Sequence, residues 1–600
     1  MDYDYQRRVN KRKRRLKRKL QRLIPAGVAI LLIAAIIYIG IQTGLFESFS
    51  YTSERADLFK YFGAIGDDYA VVVKDGEITS DQIKVVDGYL YIPLSRVKEE
   101  FNKRFYLDVN DNALLYTTAL DVISAPIDGM SYTKGGVSEQ TPYVICYNEG
   151  DDLMVCLEYV KLYADFSYEL YGGAGEPYRC RIDKSWGSEN AIIVEKSQAL
   201  RDDMDKKAKV LKDMSEGDIL YVIEEDKDWT KVKTEDLIVG YYETRFLGET
   251  TSITKEAPAP YSEPEFTCIH KDGPVRLIWD NVVSEAGNSG LRDRLSGQQG
   301  ITTISPTWFY LINNDGDISS IASHEYVATA HDLGMEVWGL VENMTYNDEL
   351  KMKNILSFSE KRAYLISQLM SYASEYELDG INVDFEALPS EAGEDFAQFI
   401  RELSIACRQA GLVLSVDNYV STASTSHYHR DAQGECVDYV IIMGYDEHYN
   451  GSEESGSVAS IDFVIDGITK TLEEVPAEKV INAVPLYTRV WKETPKSASQ
   501  AEKEDPNQKY IPYTLNVETL GMAEALEYVA NSGVQPKWDE VTQQNYAEWQ
   551  IGERTIKVWL EDEDSLTAKI QSMHNFNLAG IAAWQLRFAN QMAWDALAKF

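Results

Sequence analysis

Three polar side chains recur at every second position of the stretch DGINVDFE: Asn382, Asp384 and Glu386. Ile381, Val383 and Phe385 alternate with them. In an extended chain successive side chains point to opposite faces, so the amide and the two carboxyls share one face and the apolar three share the other. Two carboxyls taken out of water side by side are costly unless they share a proton or find partners. Such an arrangement raises one pKa and keeps a carboxyl protonated near neutral pH, where it can act as a general acid. A lone D-x-E in a loop would read as a chance helix cap. Here the pair ends an apolar run, which capping does not explain.

The elements that would position this face are visible around it. From about residue 270 to 600, apolar runs alternate with helical stretches: VRLIWDNV, ITTISPTWFYL, MEVWGLVEN, GINVDFE, LVLSVDNYV, YVIIMGYD, KVINAVPLY and GIAAWQL. Parallel strands buried on both faces read as continuous apolar runs of this kind. Eight such runs with helices between them predict an α/β domain of the (β/α)8 TIM-barrel type. Active residues in such a barrel sit at the C-terminal ends of the strands. The informative positions are therefore Asp384 and Glu386 after the fourth run, Tyr445 and Asp446 after the sixth, and Trp584 and Gln585 in the eighth.

DGINVDFE at 379–386 resembles the D-G-x-D-x-D-x-E signature of glycoside hydrolase family 18. SPTWF at 305–309, MGYD at 443–446, VPLYTRVW at 484–491, VWLEDEDSLTAKI at 558–570 and GIAAWQL at 580–586 extend the resemblance over most of 272–600. The subgroup it is most similar to comprises bacterial cell-wall and spore-associated members. The resemblance implies Glu386 as the catalytic acid, Asp384 as the group orienting a substrate N-acetyl group, and Tyr445 as a phenol hydrogen-bonding that same group. It also implies Asp446 as a supporting carboxylate and Trp584 as the floor beneath the reacting sugar. The acetamido oxygen would serve as nucleophile, so the reaction would be retaining and need no second carboxylate nucleophile. No cofactor is implied. One position departs from the signature: Asn382 stands where the family has its middle Asp. An amide cannot repel Asp384 or share its proton, so Asp384 is expected to ionise more easily, with Asn382 donating a hydrogen bond to it.

Other residues attract notice. Asp417 and Asn418 end the fifth run and fit either sugar contact or strand-end capping. Trp308 and Tyr310 fit either a sugar platform or the core. Glu447 and His448 follow Asp446, but seven His in the chain with no paired His spacing do not suggest a metal site.

The remainder of the chain suggests what carries the barrel. At ~100–200 residues per domain, 600 residues hold three or four units. Net charge is −37, from 59 basic and 96 acidic residues, yet the first two dozen positions are strongly basic, so the rest is more acidic than the total suggests. An acidic body argues against nucleic acid as a partner, since phosphate binding needs Lys and Arg. No charge occurs from residue 23 to residue 46, a run of 24. Residues 1–23 thus read as a basic cytoplasmic tail, and 24–46 as a transmembrane anchor contacting the membrane, with the rest extracellular. Residues 50–185 loosely resemble the β-rich stalk domains of bacterial surface proteins. Residues 188–250 look like a bacterial SH3-type module, with a turn at Gly217-Asp218 and strands ILYVIEE and TKVKT. A Pro-containing linker at 251–269 leads to the barrel at 270–600. The six cysteines lack metal-type spacing, although Cys146 and Cys156 could pair across a hairpin.

These readings converge on a glycosidase acting on an N-acetylated glycan polymer, peptidoglycan ahead of chitin, at the surface of a bacterial cell of Gram-positive type. Two alternatives are a chitinase or chitooligosaccharide hydrolase and a non-catalytic wall-glycan-binding protein. Retention of Glu386 speaks against the latter.

Overall fold

A computed structural model describes residues 3–42, 50–269, 271–344, 349–497 and 511–600. The chain divides into two compact units, one of residues 1–92 with 156–261, the other of 93–155 with 262–600.

All eight apolar runs form strands: β1 (Val275–Asp280), β2 (Thr303–Leu311), β3 (Glu336–Glu342), β4 (Gly380–Asp384), β5 (Val413–Tyr419), β6 (Tyr439–Met443), β7 (Val480–Pro485) and β8 (Gly580–Trp584). Each pairs in parallel with its neighbours, and β8 pairs with β1 to close the barrel. The interior is packed rather than open. Leu277, Trp279, Trp338, Leu340, Ile441 and Ile481 are among the side chains that fill it. On the outside, Ile381, Val383 and Phe385 of the β4 segment join a larger apolar layer with the covering helices. Phe385 meets Phe396 and Phe399 there, with ring centroids 6.0 and 5.8 Å away. The alternation read from DGINVDFE therefore holds.

The first two residues of that segment set the base of β4. Asp379 accepts hydrogen bonds from the Val337 N–H and from His331 Nε2, both at 2.8 Å, which fixes β4 beside β3. Gly380 lies so close to its neighbours that a Cβ would stand 2.8 Å from the Trp338 ring and 2.8 Å from the Val413 carbonyl oxygen.

Between β7 and β8 the chain builds a five-stranded sheet in the order Tyr513–Gly521, Tyr487–Pro495, Arg554–Leu560, Gln544–Ile551, Lys537–Asp539. A helix, Met522–Ser532, packs on it through Ala525 and Val529 against Val490 and Val558.

The barrel unit also includes part of the region expected to be a separate stalk. Residues 105–140 form a five-stranded antiparallel sheet. It is tied to the barrel helices α1 (Ser359–Tyr376) and α2 (Gly393–Ala410) by buried polar contacts. Arg362 is fully buried and bridges Asp108 at 3.1 Å and Glu402 at 2.9 Å, while Tyr106 donates to Asp395 at 2.6 Å.

In the other unit, a sheet in the order Ser167–Gly173, Glu176–Asp183, Tyr69–Lys74, Glu77–Val86, Tyr89–Pro93 contains two hairpins that turn at Asp-Gly pairs. Both turn residues have positive φ in each, Asp75-Gly76 and Asp87-Gly88, as tight hairpin turns require. Residues 188–254 form a seven-stranded sheet, with the strands expected at ILYVIEE and TKVKT at Ile219–Glu224 and Trp229–Lys233. The first residues of the expected linker, Thr251–Thr254, are its edge strand.

Two further expectations need correction. Among the described residues no helix is long and apolar enough to cross a membrane, so the spanning segment at 24–46 is not found. The helix there runs from Tyr3 to Gln42, carries its basic residues in its first half and has Pro25 inside it. Residues 43–46 lie outside the described residues. Cys146 and Cys156 remain thiols. Val155 stands opposite Cys146 in the hairpin, so Cys156 is one position out of register and on the other face. Burial pushes these thiols up to about 12 and about 11.

The Arg362 contacts yield a stability prediction. Arg362→Met leaves the buried Asp108 and the half-buried Glu402 without their cation, and urea denaturation should show a loss of about 3–5 kcal/mol. A variant as stable as the parent would contradict a buried ionic tie at this place.

Candidate active site

The site is built around an amide. Asn382 is fully buried on the inward face of β4. Its Oδ1 accepts from Trp279 Nε1 at 2.9 Å and from Ser305 Oγ at 3.1 Å. Its Nδ2 donates to Ser415 Oγ at 3.0 Å and to Asp417 Oδ1 at 2.9 Å. Both N–H groups and both lone-pair directions are thus used, by partners on β1, β2 and β5. An aspartate here could make no such donation to Asp417 without holding a proton. The hydrogen bond expected toward Asp384 goes to Asp417 instead.

Asp384 stands two residues along the same face, and one of its carboxyl oxygens, Oδ1, is buried with no hydrogen-bond partner among the described residues. Its pKa lies well above the ordinary carboxylate range, first because it is desolvated and then because Asp417, Glu386 and Glu342 repel its charge. Even with no charge at position 382, this carboxyl does not ionise in the ordinary carboxylate range. The charge missing at position 382 is replaced by Asp417, whose pKa burial also raises well above the usual range.

Glu386 follows the end of β4 and is half-buried. Two neighbours hold it. Asn343, just beyond β3, grips its main chain from both sides: Nδ2 donates to the Glu386 carbonyl and Oδ1 accepts from the Glu386 N–H, each at 2.8 Å. Tyr419, the last residue of β5, donates its hydroxyl to Glu386 Oε2 at 2.6 Å. That phenol is held protonated by burial and by the Glu386 charge. Oε1 has no protein hydrogen-bond partner among the described residues.

Tyr445 and Trp584 lie against the interior cluster, half-buried at the mouth. The Tyr445 phenol is raised well above its ordinary value by burial, followed by the charges of Tyr487, Asp384, Asp417 and Glu386, so it stays a hydrogen-bond donor aimed into the carboxyl cluster. Trp584 tilts against Trp279 with ring centroids 6.0 Å apart. Asp446, at φ 60°, accepts from Tyr487 Oη at 2.5 Å and Arg489 Nη2 at 2.7 Å, so the loop after β6 is pinned to the segment after β7.

The structure removes some candidates. Trp308 is not at the site. It is fully buried on the outside of β2, donating to Asn288 Oδ1 at 2.8 Å and packing edge-on against Tyr326. Ser305 of the same strand points inward to Asn382, and the odd spacing between them sends Trp308 to the helices. Asn418 also faces outward, bonded to Gln433. Tyr310 ties down the loop after β1 through the Val282 carbonyl. Glu447 and His448 bond the main chain of Ser460 and Ser457.

It also adds residues that the sequence reading passed over. Glu342 ends β3 in register with Asp384, on the side of Trp338 and Leu340, which fill the interior. Burial first, then the Glu386 charge, pushes its carboxyl up to about 7. It ends an apolar run just as Glu386 does, and Tyr419 ends another. Tyr487 and Arg489 lie within VPLYTRVW. Position at a run's end was the available signal for the first two.

Comparison with known proteins bears on this geometry. Residues 342–589 match the pattern of Glycosyl hydrolases family 18. The matched stretch runs from the end of β3 to just past β8 and holds Glu342, Asp384, Glu386, Asp417 and Tyr445. The chain is 27% identical over 265 residues to a cortical fragment-lytic enzyme of Bacillus subtilis (strain 168), covering 42% of this chain and 57% of that one. Against the cortical fragment-lytic enzyme of Bacillus anthracis it is 23% identical over 266 residues, 43% of this chain and 57% of that one. The chain thus spans little more than half the length of these relatives. Among solved structures, the Bacillus cereus spore cortex-lytic enzyme SleL aligns with a TM-score of 0.47 at 18% identity, over 60% of this chain and 78% of that chain. A chitinase from Chromobacterium violaceum aligns with a TM-score of 0.46 at 21% identity, over 54% and 98%.

Glu342 gives a pH prediction for the barrel. A glutamate whose ordinary value is 4.5 and whose folded value is about 7 holds its proton more tightly when folded. Its contribution to stability is therefore present at low pH and lost as pH rises from the first value to the second. Glu342→Gln should stabilise the fold at pH 8 by ~1–3 kcal/mol in urea denaturation and change it little at pH 4. An equal effect at both pH values would contradict this.

Proposed function

We propose that the barrel hydrolyses N-acetylglucosamine-containing glycan with retention of configuration, using the substrate's acetamido group as nucleophile. The observation that carries this reading is the orphaned, buried Oδ1 of Asp384 beside Glu386. A buried oxygen without a partner is costly, and an N–H from a bound acetamido group would satisfy it.

The steps follow from the placement of the side chains. Glu386, held at Oε2 by Tyr419, gives a proton from Oε1 to the glycosidic oxygen. The acetamido carbonyl oxygen bonds to the anomeric carbon as the bond to the leaving sugar breaks. Asp384 accepts the acetamido N–H and balances the positive charge that develops on the ring so formed. Tyr445 donates to the same acetamido oxygen, and Trp584 lies beneath the sugar. The Glu386 carboxylate then takes a proton from water as that water attacks the anomeric carbon, which reopens the acetamido group and restores the acid. No second carboxylate nucleophile enters.

Among glycans of this class we favour bacterial peptidoglycan over chitin. The support is the similarity to two cortical fragment-lytic enzymes. Such a substrate lies outside the cytoplasmic membrane, and we propose that the barrel works there, with the preceding β-rich units as spacer or wall contact.

The test is digestion of purified peptidoglycan and of N-acetylglucosamine tetramer by the full chain, with the new reducing ends identified by mass spectrometry. Glu386→Gln should lower cleavage by roughly 10²–10⁴-fold with the fold intact. A tetramer lacking its acetyl groups should not be cut. Full activity of Glu386→Gln, or equal cleavage of the deacetylated tetramer, would overturn the assignment.

A further inference from the structure

A second cavity, of about 540 Å³, lies in the barrel unit among residues that the mechanism does not use. One wall is the hairpin of strands Lys537–Asp539 and Gln544–Ile551. Trp538 and Asn545 stand directly opposite each other on these strands, so both side chains project from one face. The other wall is the helix Glu563–His574. It presents Asp564, Thr567 and Gln571, spaced three and four apart and therefore on one side.

The hairpin's opposite face explains why this one is left over. Gln544 there is fully buried and donates to Glu561, which in turn pairs with Lys569 beneath the helix. Those polar groups are satisfied internally. The groove side differs. Trp538 Nε1, the Asp564 carboxylate and the Gln571 carboxamide have no protein hydrogen-bond partner among the described residues. Asn545 spends its Nδ2 on Asp562 and keeps its carbonyl oxygen. At the rim Lys599 pairs with Glu563 and donates to the Thr567 hydroxyl at 3.2 Å, so the groove holds no free cation and one unpaired carboxylate, Asp564, among the described residues.

A half-buried indole flanked by planar carboxamides, a hydroxyl and a carboxylate presents an apolar face with donors and acceptors around it. Sugar rings carry the complementary pattern, an apolar C–H face edged by hydroxyls that both donate and accept. A purely apolar lining would suit a lipid, and a cluster of cations would suit phosphate. The volume falls in the range of small-ligand pockets. We infer that the groove between the 537–551 hairpin and the 563–574 helix is a second glycan-binding site, holding sugar units of the polymer that the barrel cleaves. This rests on the proposed glycosidase reading. Holding a long polymer at two places raises the effective concentration of its chain at the cleft, and a short oligomer gains nothing from it.

The experiment uses the full chain carrying Glu386→Gln, so that bound glycan is not cut, in a co-sedimentation assay with insoluble peptidoglycan and with chitin. Trp538→Ala in that background should weaken binding roughly fivefold or more. Gln571→Ala, at an exposed residue without a protein partner, guards against misfolding and should weaken it in the same direction. Trp538→Ala in the otherwise unchanged chain should hydrolyse soluble tetramer as the parent does. Binding to both polymers unaltered by either substitution would overturn the site, as would a loss seen with Trp538→Ala alone. If the parent cuts no oligomer yet binds polymer through Trp538, the glycosidase reading fails and the site stands.

Discussion

The amide of Asn382 is the contact on which the site depends. It lies on the inner face of β4, above the packed interior, and accepts from Trp279 and Ser305 while donating to Ser415 and Asp417. Four directional bonds to three other strands leave β4 one register. A slip of a single residue would turn Asp384 and Glu386 toward the apolar helices. The amide also keeps Asp417 in place as a neighbour to Asp384, which a carboxylate at position 382 could do only by sharing a proton.

Around this hub the barrel gathers Glu342, Asp384, Glu386 and Asp417 at one mouth, three of them with raised pKa values. Carboxyls held this way oppose folding at neutral pH. Their stabilisation comes from elsewhere: the Trp and Leu side chains filling the barrel below, the aromatic layer outside β4, and the Arg362 tie to the 105–140 sheet. The consequence is functional. A carboxyl oxygen is left without a partner, and a half-buried acid is gripped at its main chain and at one oxygen only.

Much of this was legible in the sequence, because the signals were periodic. Each of the eight apolar runs is a strand, and the two-residue alternation in DGINVDFE places Asp384 and Glu386 inward with Phe385 outward. What escaped depended on contacts between distant segments. In the sequence Trp308 fits either a sugar platform or the core, and only its position relative to Ser305 on the folded strand turns it to the helices. The partner of Asn382 was misjudged, since only the neighbouring strand's register brings Asp417 into its reach. Asn343 acts on the main chain of Glu386, just past the next strand, which no local pattern encodes. The 93–155 segment looks like part of an independent spacer, yet Tyr106, Asp108 and Thr117 bond to α1 and α2.

The most direct test of the account is the configuration of the first product. The enzyme would be mixed with N-acetylglucosamine tetramer, and the anomeric protons of the new reducing end followed by NMR before they equilibrate. Acetamido participation guided by Asp384 predicts that the β anomer appears first. Initial release of the α anomer would mean direct attack by water and would contradict the roles given to Asp384 and Glu386.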